Sequence, residues 1–333
     1  MAAQPKSVLI LGGSGQAGAG AAHMLRRWHP SLPLTLAGRD RSRLRRVAEE
    51  LGDAETVTID LDRDDLGLTE HEHTAVVAAL WDRRLRGLRY AQRHGLPYLS
   101  ISSGLAEIGP EVIAGAQRPS AAPILLASHF FAGLATLAVL HEAARFARVD
   151  SVRVSAILDE TDTGGPAGLA DVQRLMAAGD AALVRRDGVF TWLPAAEAQV
   201  RVRGMDGVEL AGQSIAVPDV PSVALAADAA NVRFDWAIGE SGGRRRGGSP
   251  TAEIAIDLEG VDRSGAPRRV TRYVVHPDGQ RPLTALGIAL GVERLLGLRG
   301  ELVAPGIHTP ESLIDPTHAV ERMREIGTVF ADA

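Results

Sequence analysis

A chain of 333 residues with 45% hydrophobic and 23% charged side chains is long enough for two domains that each bury a core. Its net charge of −5 gives no general attraction to nucleic acid or anionic membranes, and no apolar run reaches the ~18 residues of a spanning helix. Cysteine is absent, which removes disulfides, thiolate metal sites and thiol nucleophiles together and fits a cytoplasmic protein.

In chain order, the first 130 residues alternate short apolar runs with amphipathic stretches. Strands are expected at residues 8–11, 34–37, 56–59, 74–79, 98–101 and 124–127, and helices at 17–28, 41–51, 81–94 and 107–115. The first strand starts so early that no signal peptide is expected. Apolar strands separated by helices imply a parallel, doubly wound sheet. An apolar helix is expected at 132–146, and beyond it the pattern changes to period two. Strands at 151–158, 199–203, 231–238, 251–258 and 269–276 suggest an antiparallel sheet with one wet face, covered on the other by helices at 169–178, 222–229 and 282–296. The stretch from Glu240 to Pro250, with Arg244, Arg245 and Arg246 among glycines, reads as a solvated hairpin tip. Pro310 marks a turn, and Pro316 a final helix start.

The first strand runs into Gly12, Gly13, Ser14, Gly15, Gln16, Ala17 and Gly18. Glycine serves three needs here: positive φ, bare backbone against a pyrophosphate, and close packing of helix on strand. Gly13, Gly15 and Gly18 satisfy G-x-G-x-x-G between a strand and a helix, whose N-terminus offers N–H groups to an anion. A carboxylate at the end of the second strand would bind a ribose 2′-hydroxyl, but Arg39 stands there, followed by Asp40 and Arg41. Arginine pairs bidentately with phosphate, so the expected cofactor is NADP(H). Asp60 ends the third strand where adenine would lie, and Ala78 and Ala79 end the fourth, leaving space for the nicotinamide ribose.

VLILGGSGQAGAG over residues 8–20, LTLAGRDRSRL over 34–44 and VTIDLDRDDL over 57–66 resemble the N-terminal half of the saccharopine dehydrogenase-like NAD(P)-dependent oxidoreductases. PGIHTPE over 305–311 resembles their P-G-x-x-T-P-E signature. The resemblance implies a Rossmann domain with an inserted α+β domain and a C-terminal helix returning to the first domain. The expected fold class is therefore α/β, a Rossmann doubly wound parallel sheet plus an α+β domain with a mainly antiparallel sheet. Residues 1–130 would bind the dinucleotide, 131–300 would form a substrate and dimerisation domain, and 301–333 would return to the Rossmann domain. The chain departs from the family at the fifth strand, with Tyr98-Leu99-Ser100 in place of Tyr-x-Asp. After the sixth it has His129-Phe130-Phe131-Ala132-Gly133 in place of Gly-Phe-x-Pro-Gly. The family's lysine-forming members use a catalytic Lys and His pair, and the lysine has no counterpart here, because Lys6 is the only one in the chain.

Composition narrows the chemistry further. Tyr90, Tyr98 and Tyr273 have no lysine four residues on, which excludes the Tyr-x-x-x-Lys acid of short-chain reductases, and there is no cysteine for an acyl-enzyme. Direct hydride transfer to a C=N, C=O or activated C=C bond remains, with a protein group or water supplying the proton. His129, directly after the sixth strand, is the expected catalytic acid, as histidine changes charge nearest neutrality. Ser102 is expected at the nicotinamide carboxamide, and Ser103, Arg233, Arg272 and His308 at the substrate. His71-Glu72-His73 has too few ligands nearby for a metal, and none is expected.

The expected activity is NADPH-dependent reduction of a C=N or C=O bond in a small molecule, with no nucleic-acid or membrane partner and with pairing into a homodimer. Two other readings stand beside it: a stand-alone enoyl reductase whose Arg244 to Arg246 meet an acidic carrier protein, and a non-catalytic NADP-binding protein.

Overall fold

Ser7–Leu11 are buried without a break, too short a run for a helix and apolar on both faces, as a central parallel strand requires. The computed structural model describes residues 6–68, 73–162, 164–177 and 181–333. His71 and Glu72 of the histidine pair lie outside them, as does Ala178, where one helix is expected to end. The chain divides into two units.

The first unit opens with β1 (Ser7–Leu11), α1 (Gln16–Trp28), β2 (Leu34–Gly38), α2 (Arg41–Leu51), β3 (Ala54–Thr58), β4 (His73–Ala78), α3 (Arg86–His94), β5 (Tyr98–Ser100), α4 (Ile108–Ala116) and β6 (Pro123–Leu126). The strands pair in parallel in the order β3-β2-β1-β4-β5-β6. Strand order reverses between β1 and β4, and ligands of such sheets bind outside the carboxyl ends at that crevice. Leu9, Leu11, Val76, Ala78, Leu88, Tyr90 and Tyr98 form its core. Residues 81–85 are not helical as expected. The Asp82 carboxylate instead accepts the N–H groups of Arg86, Gly87 and Leu88, so it caps α3 from a loop closed by Leu85 at φ 54°.

The second unit follows a 3-10 turn (Phe130–Gly133) with α5 (Leu134–Ala143), β7 (Phe146–Asp159), α6 (Gly165–Ala177), β8 (Ala182–Arg186), β9 (Val189–Leu193), α7 (Ala195–Ala198), β10 (Gln199–Arg203), β11 (Glu209–Ser214), α8 (Asp219–Ala226), β12 (Asn231–Gly239), α9 (Gly242–Arg245), β13 (Ala252–Asp262) and β14 (Pro267–His276). Then come α10 (Arg281–Leu295), β15 (Gly306–His308), α11 (Pro310–Leu313), α12 (Pro316–Glu325) and β16 (Val329–Asp332). The sheet order is β10-β11-β12-β7-β13-β14-β16, with β8 and β9 attached at β12. Val152, Val154, Phe234, Ile254, Ile256 and Leu258 are buried on one face, where α5 and α8 pack. Arg153, Arg233 and Asp257 alternate with them on the other.

Two expectations are corrected. The helix expected through residue 146 stops at Ala143, and Phe146 starts β7. The sheet is mainly antiparallel, with β12 and β7 running parallel within it. Because β7 lies between β12 and β13, residues 240–250 form a crossover carrying α9 and not a hairpin tip. The tail is shared: residues 284–314 belong to the first unit, where β15 pairs in parallel with β6, while 315–333 belong to the second, where β16 pairs with β14.

Candidate cofactor site

The glycine turn occupies the crevice end of β1. Gly12 adopts φ +80°, and a Cβ there would lie 2.9 Å from the Ala79 carbonyl oxygen at the end of β4. Gly13 is closed in by Ile10 O and Leu36 Cα, each 3.0 Å from where its Cβ would stand. The Gly12 and Gly13 N–H groups both reach Ala37 O, tying the turn to the end of β2. Gly15 is the N-cap of α1, and no side chain among the described residues caps that helix. The N–H groups of its first turn therefore lack intrahelical partners and point outward with the positive end of the helix dipole. Ser14, Gln16 and Ala17 complete this rim, none of them buried. Such a turn, packed too closely to admit a Cβ and lined by N–H donors, fits a pyrophosphate.

At the end of β2, Arg39 is exposed and Arg41 donates through Nε to Thr58 Oγ1 at 3.0 Å. Asp40 is committed elsewhere: its Oδ1 accepts from Ser42 N at 2.9 Å and Arg43 N at 3.1 Å as the N-cap of α2. The Ser42 hydroxyl, which donates to the same oxygen at 2.6 Å, and these backbone bonds hold its carboxyl below the ordinary carboxylate range. Asp60, exposed past β3, accepts Asp62 N at 2.8 Å and shapes a turn there. Ala78 and Ala79 are buried at the end of β4.

The β5 end holds the most unusual chemistry. Ser102 takes φ +72°, a conformation uncommon outside glycine, and Ser103 N donates to Ser128 Oγ at 3.1 Å. Beside them sits Glu111 of α4, which sequence reasoning missed. Burial pushes its carboxyl up to about 7, while the neighbouring hydroxyls of Ser100 and Ser103 favour the charged form and the charges of Asp82 and Glu107 oppose it. A signal was available: Glu111 is the one charged residue in the apolar helix Ile108–Ala116.

No family model matches the chain, and no curated protein matches it in sequence. Among solved structures it is similar to apo saccharopine dehydrogenase (L-Glu forming) from Saccharomyces cerevisiae, with a TM-score of 0.66 at 13% identity over 98% of this chain and 99% of that one. This chain has the saccharopine dehydrogenase fold. Apo scyllo-inositol dehydrogenase from Lactobacillus casei is also similar, with a TM-score of 0.51 at 14% identity over 99% of both chains. The resemblance carried by the turn and tail motifs is thus matched by the fold.

In this instance of the saccharopine dehydrogenase fold, the remaining candidates are placed as follows. His308, on β15 of the first unit, bonds through Nε2 to Ala304 O at 2.9 Å. In the second unit, His129 is 6% exposed, with Nε2 and Ser222 Oγ 2.7 Å apart. Its Nδ1 is buried with no partner among the described residues. The nearby Asp219 carboxylate accepts from Phe130 N and Thr136 Oγ1, and burial raises its pKa. Arg233 donates to Asp235 at 3.1 Å and to Ser214 Oγ at 2.6 Å, and it shares the wholly buried Asp235 with Arg153. Both arginines line a cavity of about 560 Å³ together with Arg185, Arg186, Asp257 and Glu259. Arg272 is largely buried between Glu142 and Asp332, at 3.3 and 2.8 Å. Arg244 pairs with Asp159 and Glu160, and Arg245 with Asp206, so these two are not the solvated arginines the sequence suggests. No group of three or more metal-ligating side chains exists among the described residues. No described helix is long and apolar enough to cross a membrane.

Proposed function

We propose that this chain is an NADPH-dependent oxidoreductase that reduces a C=N or C=O bond of a small molecule, in the cytoplasm. One observation carries the reading: the uncapped N-terminus of α1 and the side-chain-free Gly12 turn meet at the carboxyl end of β1, with exposed Arg39 at the end of the neighbouring β2. The turn from Gly12 to Gly18 would hold the pyrophosphate, Arg39 the 2′-phosphate, Asp60 the adenine side, and Ala78 with Ala79 the space beside the nicotinamide ribose. Bound NADPH supplies the hydride. Ser102 and Ser103 would hold the carboxamide or a substrate oxygen, and Arg233 would hold polar groups of the substrate. His129 would release the accompanying proton through its Ser222-bonded imidazole. Arg272 and His308 would make further substrate contacts; like Arg233, both also bond neighbours within their own units.

The reading includes a homodimer. Among the described residues, strand β9 is an edge strand pairing only with β8, and Val189, Phe190 and Trp192 on it are 63%, 41% and 58% exposed. An apolar edge of this kind favours pairing with a second copy. Light scattering at twice the 35.1 kDa chain mass supports it, and the monomer mass contradicts it.

The test of the activity is NADPH oxidation against a panel of imines, ketones and enoyl thioesters. Turnover on imines or ketones supports the proposal. Turnover confined to thioesters favours the carrier-bound reading, which the ion pairs of Arg244 and Arg245 make less attractive. Tight binding with no turnover favours a non-catalytic NADP-binding protein.

A further inference from the structure

Glu111 is 2% exposed, Ser100 is 1% exposed and Ser103 is 9% exposed, so a carboxyl and two hydroxyls are sealed together at the end of β5. Neither Glu111 Oε2 nor Ser100 Oγ has a hydrogen-bond partner among the described residues. Adjacent buried polar atoms left unbonded are rare in folded proteins and call for a reason. The groups facing Glu111 are Asp82 from the loop before α3, Glu107 at the start of α4 and Tyr98 of β5. All three are already committed: Asp82 caps α3, Tyr98 lies 3.4 Å from Asp82 Oδ2, and Glu107 Oε2 accepts Gly104 N at 2.7 Å.

We propose that Glu111 is a positioning residue for the nicotinamide end of the site. Its carboxyl sets the direction of the Ser103 hydroxyl hydrogen, and so decides whether the β5 turn offers a donor or an acceptor to the ligand. The proposal rests on the NADPH reading above. A neutral carboxyl can donate its own hydrogen to a serine oxygen, which leaves that serine's hydrogen to point outward. An ionised carboxyl can only accept, so it draws the Ser103 hydroxyl hydrogen inward and leaves a lone pair facing the ligand. The proton is exchanged with solvent, and no bond other than O–H changes. A carboxamide oxygen needs a donor, so NADPH binds more tightly when Glu111 is neutral. Burial places this change near neutrality.

The experiment measures the affinities of NADPH and of 2′-phospho-ADP-ribose, which lacks the nicotinamide, at about pH 6 and about pH 8. Taking their ratio cancels the ionisation of the shared 2′-phosphate. In the native protein the NADPH preference should be roughly 2- to 10-fold greater at the lower pH, the worth of one hydrogen bond. Glu111→Gln should hold the lower-pH ratio at both values, and Glu111→Asp, which keeps a titrating carboxyl, should retain a pH response. A flat native ratio, or the same pH response in Glu111→Gln, overturns the proposal while leaving the NADPH reading intact. Failure of both probes to bind overturns the reading and the proposal with it. If Glu111→Gln does not fold, Ser103→Ala should flatten the ratio while infrared difference spectra still show a carboxyl titrating near neutrality. A pH response that survives Ser103→Ala, or spectra without that carboxyl, overturns the proposal.

Discussion

Gly18 of α1 packs so closely on Gly12 that a Cβ built on Gly18 would lie 2.5 Å from the Gly12 carbonyl oxygen. That atom is backbone and cannot swing aside, so the first turn of α1 and the strand end must separate to admit a methyl group. Gly18→Ala should therefore lower stability by about 1–3 kcal/mol, the usual penalty for overpacking. It should also weaken NADPH binding at least about tenfold, because the N–H donors move with the helix start. Thermal melting and fluorescence titration check the two effects. A variant unchanged in both would mean that the turn tolerates a side chain and is not a close-packed phosphate cradle.

Glu111 makes stability depend on pH. Burial raises its carboxyl from 4.5 in an exposed setting to about 7 in the fold, so the folded chain binds this proton more tightly than the unfolded one. The contribution is fully present below the unfolded value and is lost as pH rises through the folded value. Glu111→Gln removes the buried charge, so it should match the native protein near pH 5 and be more stable near pH 8, by on the order of 3 kcal/mol at most. Denaturant titrations at the two values check this. Native and variant curves that stay parallel across the range would show that Glu111 does not titrate there.

His129→Asn should lower turnover roughly 100-fold while leaving NADPH affinity nearly intact, if the imidazole supplies the proton. The residue is buried and bonded to Ser222, so melting must be measured beside turnover. Near-native turnover would assign His129 to packing with Ser222 and leave the proton to another group or to water.

The first unit was largely legible because each of its signals is local. A buried apolar run, a glycine turn and a small-residue helix start specify β1 and α1, and the helix expected at 41–51 coincides with α2. The second unit was less legible because strand pairing is not local. Period two marks β12 and β7 as half-buried strands but cannot say that they run parallel. Strand β9 exposes Val189, Phe190 and Trp192 and so lacks the alternation that marks a strand. Strands β15 and β16 are three and four residues long and are set by their neighbours β6 and β14. At the candidate site, Asp40 and Glu111 show two sides of the same limit. Sequence places Asp40 just after Arg39 at the end of the second strand, but only the structure shows its carboxylate capping α2. Glu111 enters through the fold of α4 onto the β5 turn.

The most direct measurement is the affinity of the native protein for NADPH and for NADH, repeated with Arg39→Asp. NADPH should bind more tightly than NADH. In Arg39→Asp, NADPH affinity should fall by roughly two orders of magnitude while NADH affinity changes little, reflecting the loss of a charge-assisted phosphate contact. Equal affinity of the native protein for both nucleotides would contradict the NADPH assignment, and binding of neither would contradict the proposed function itself.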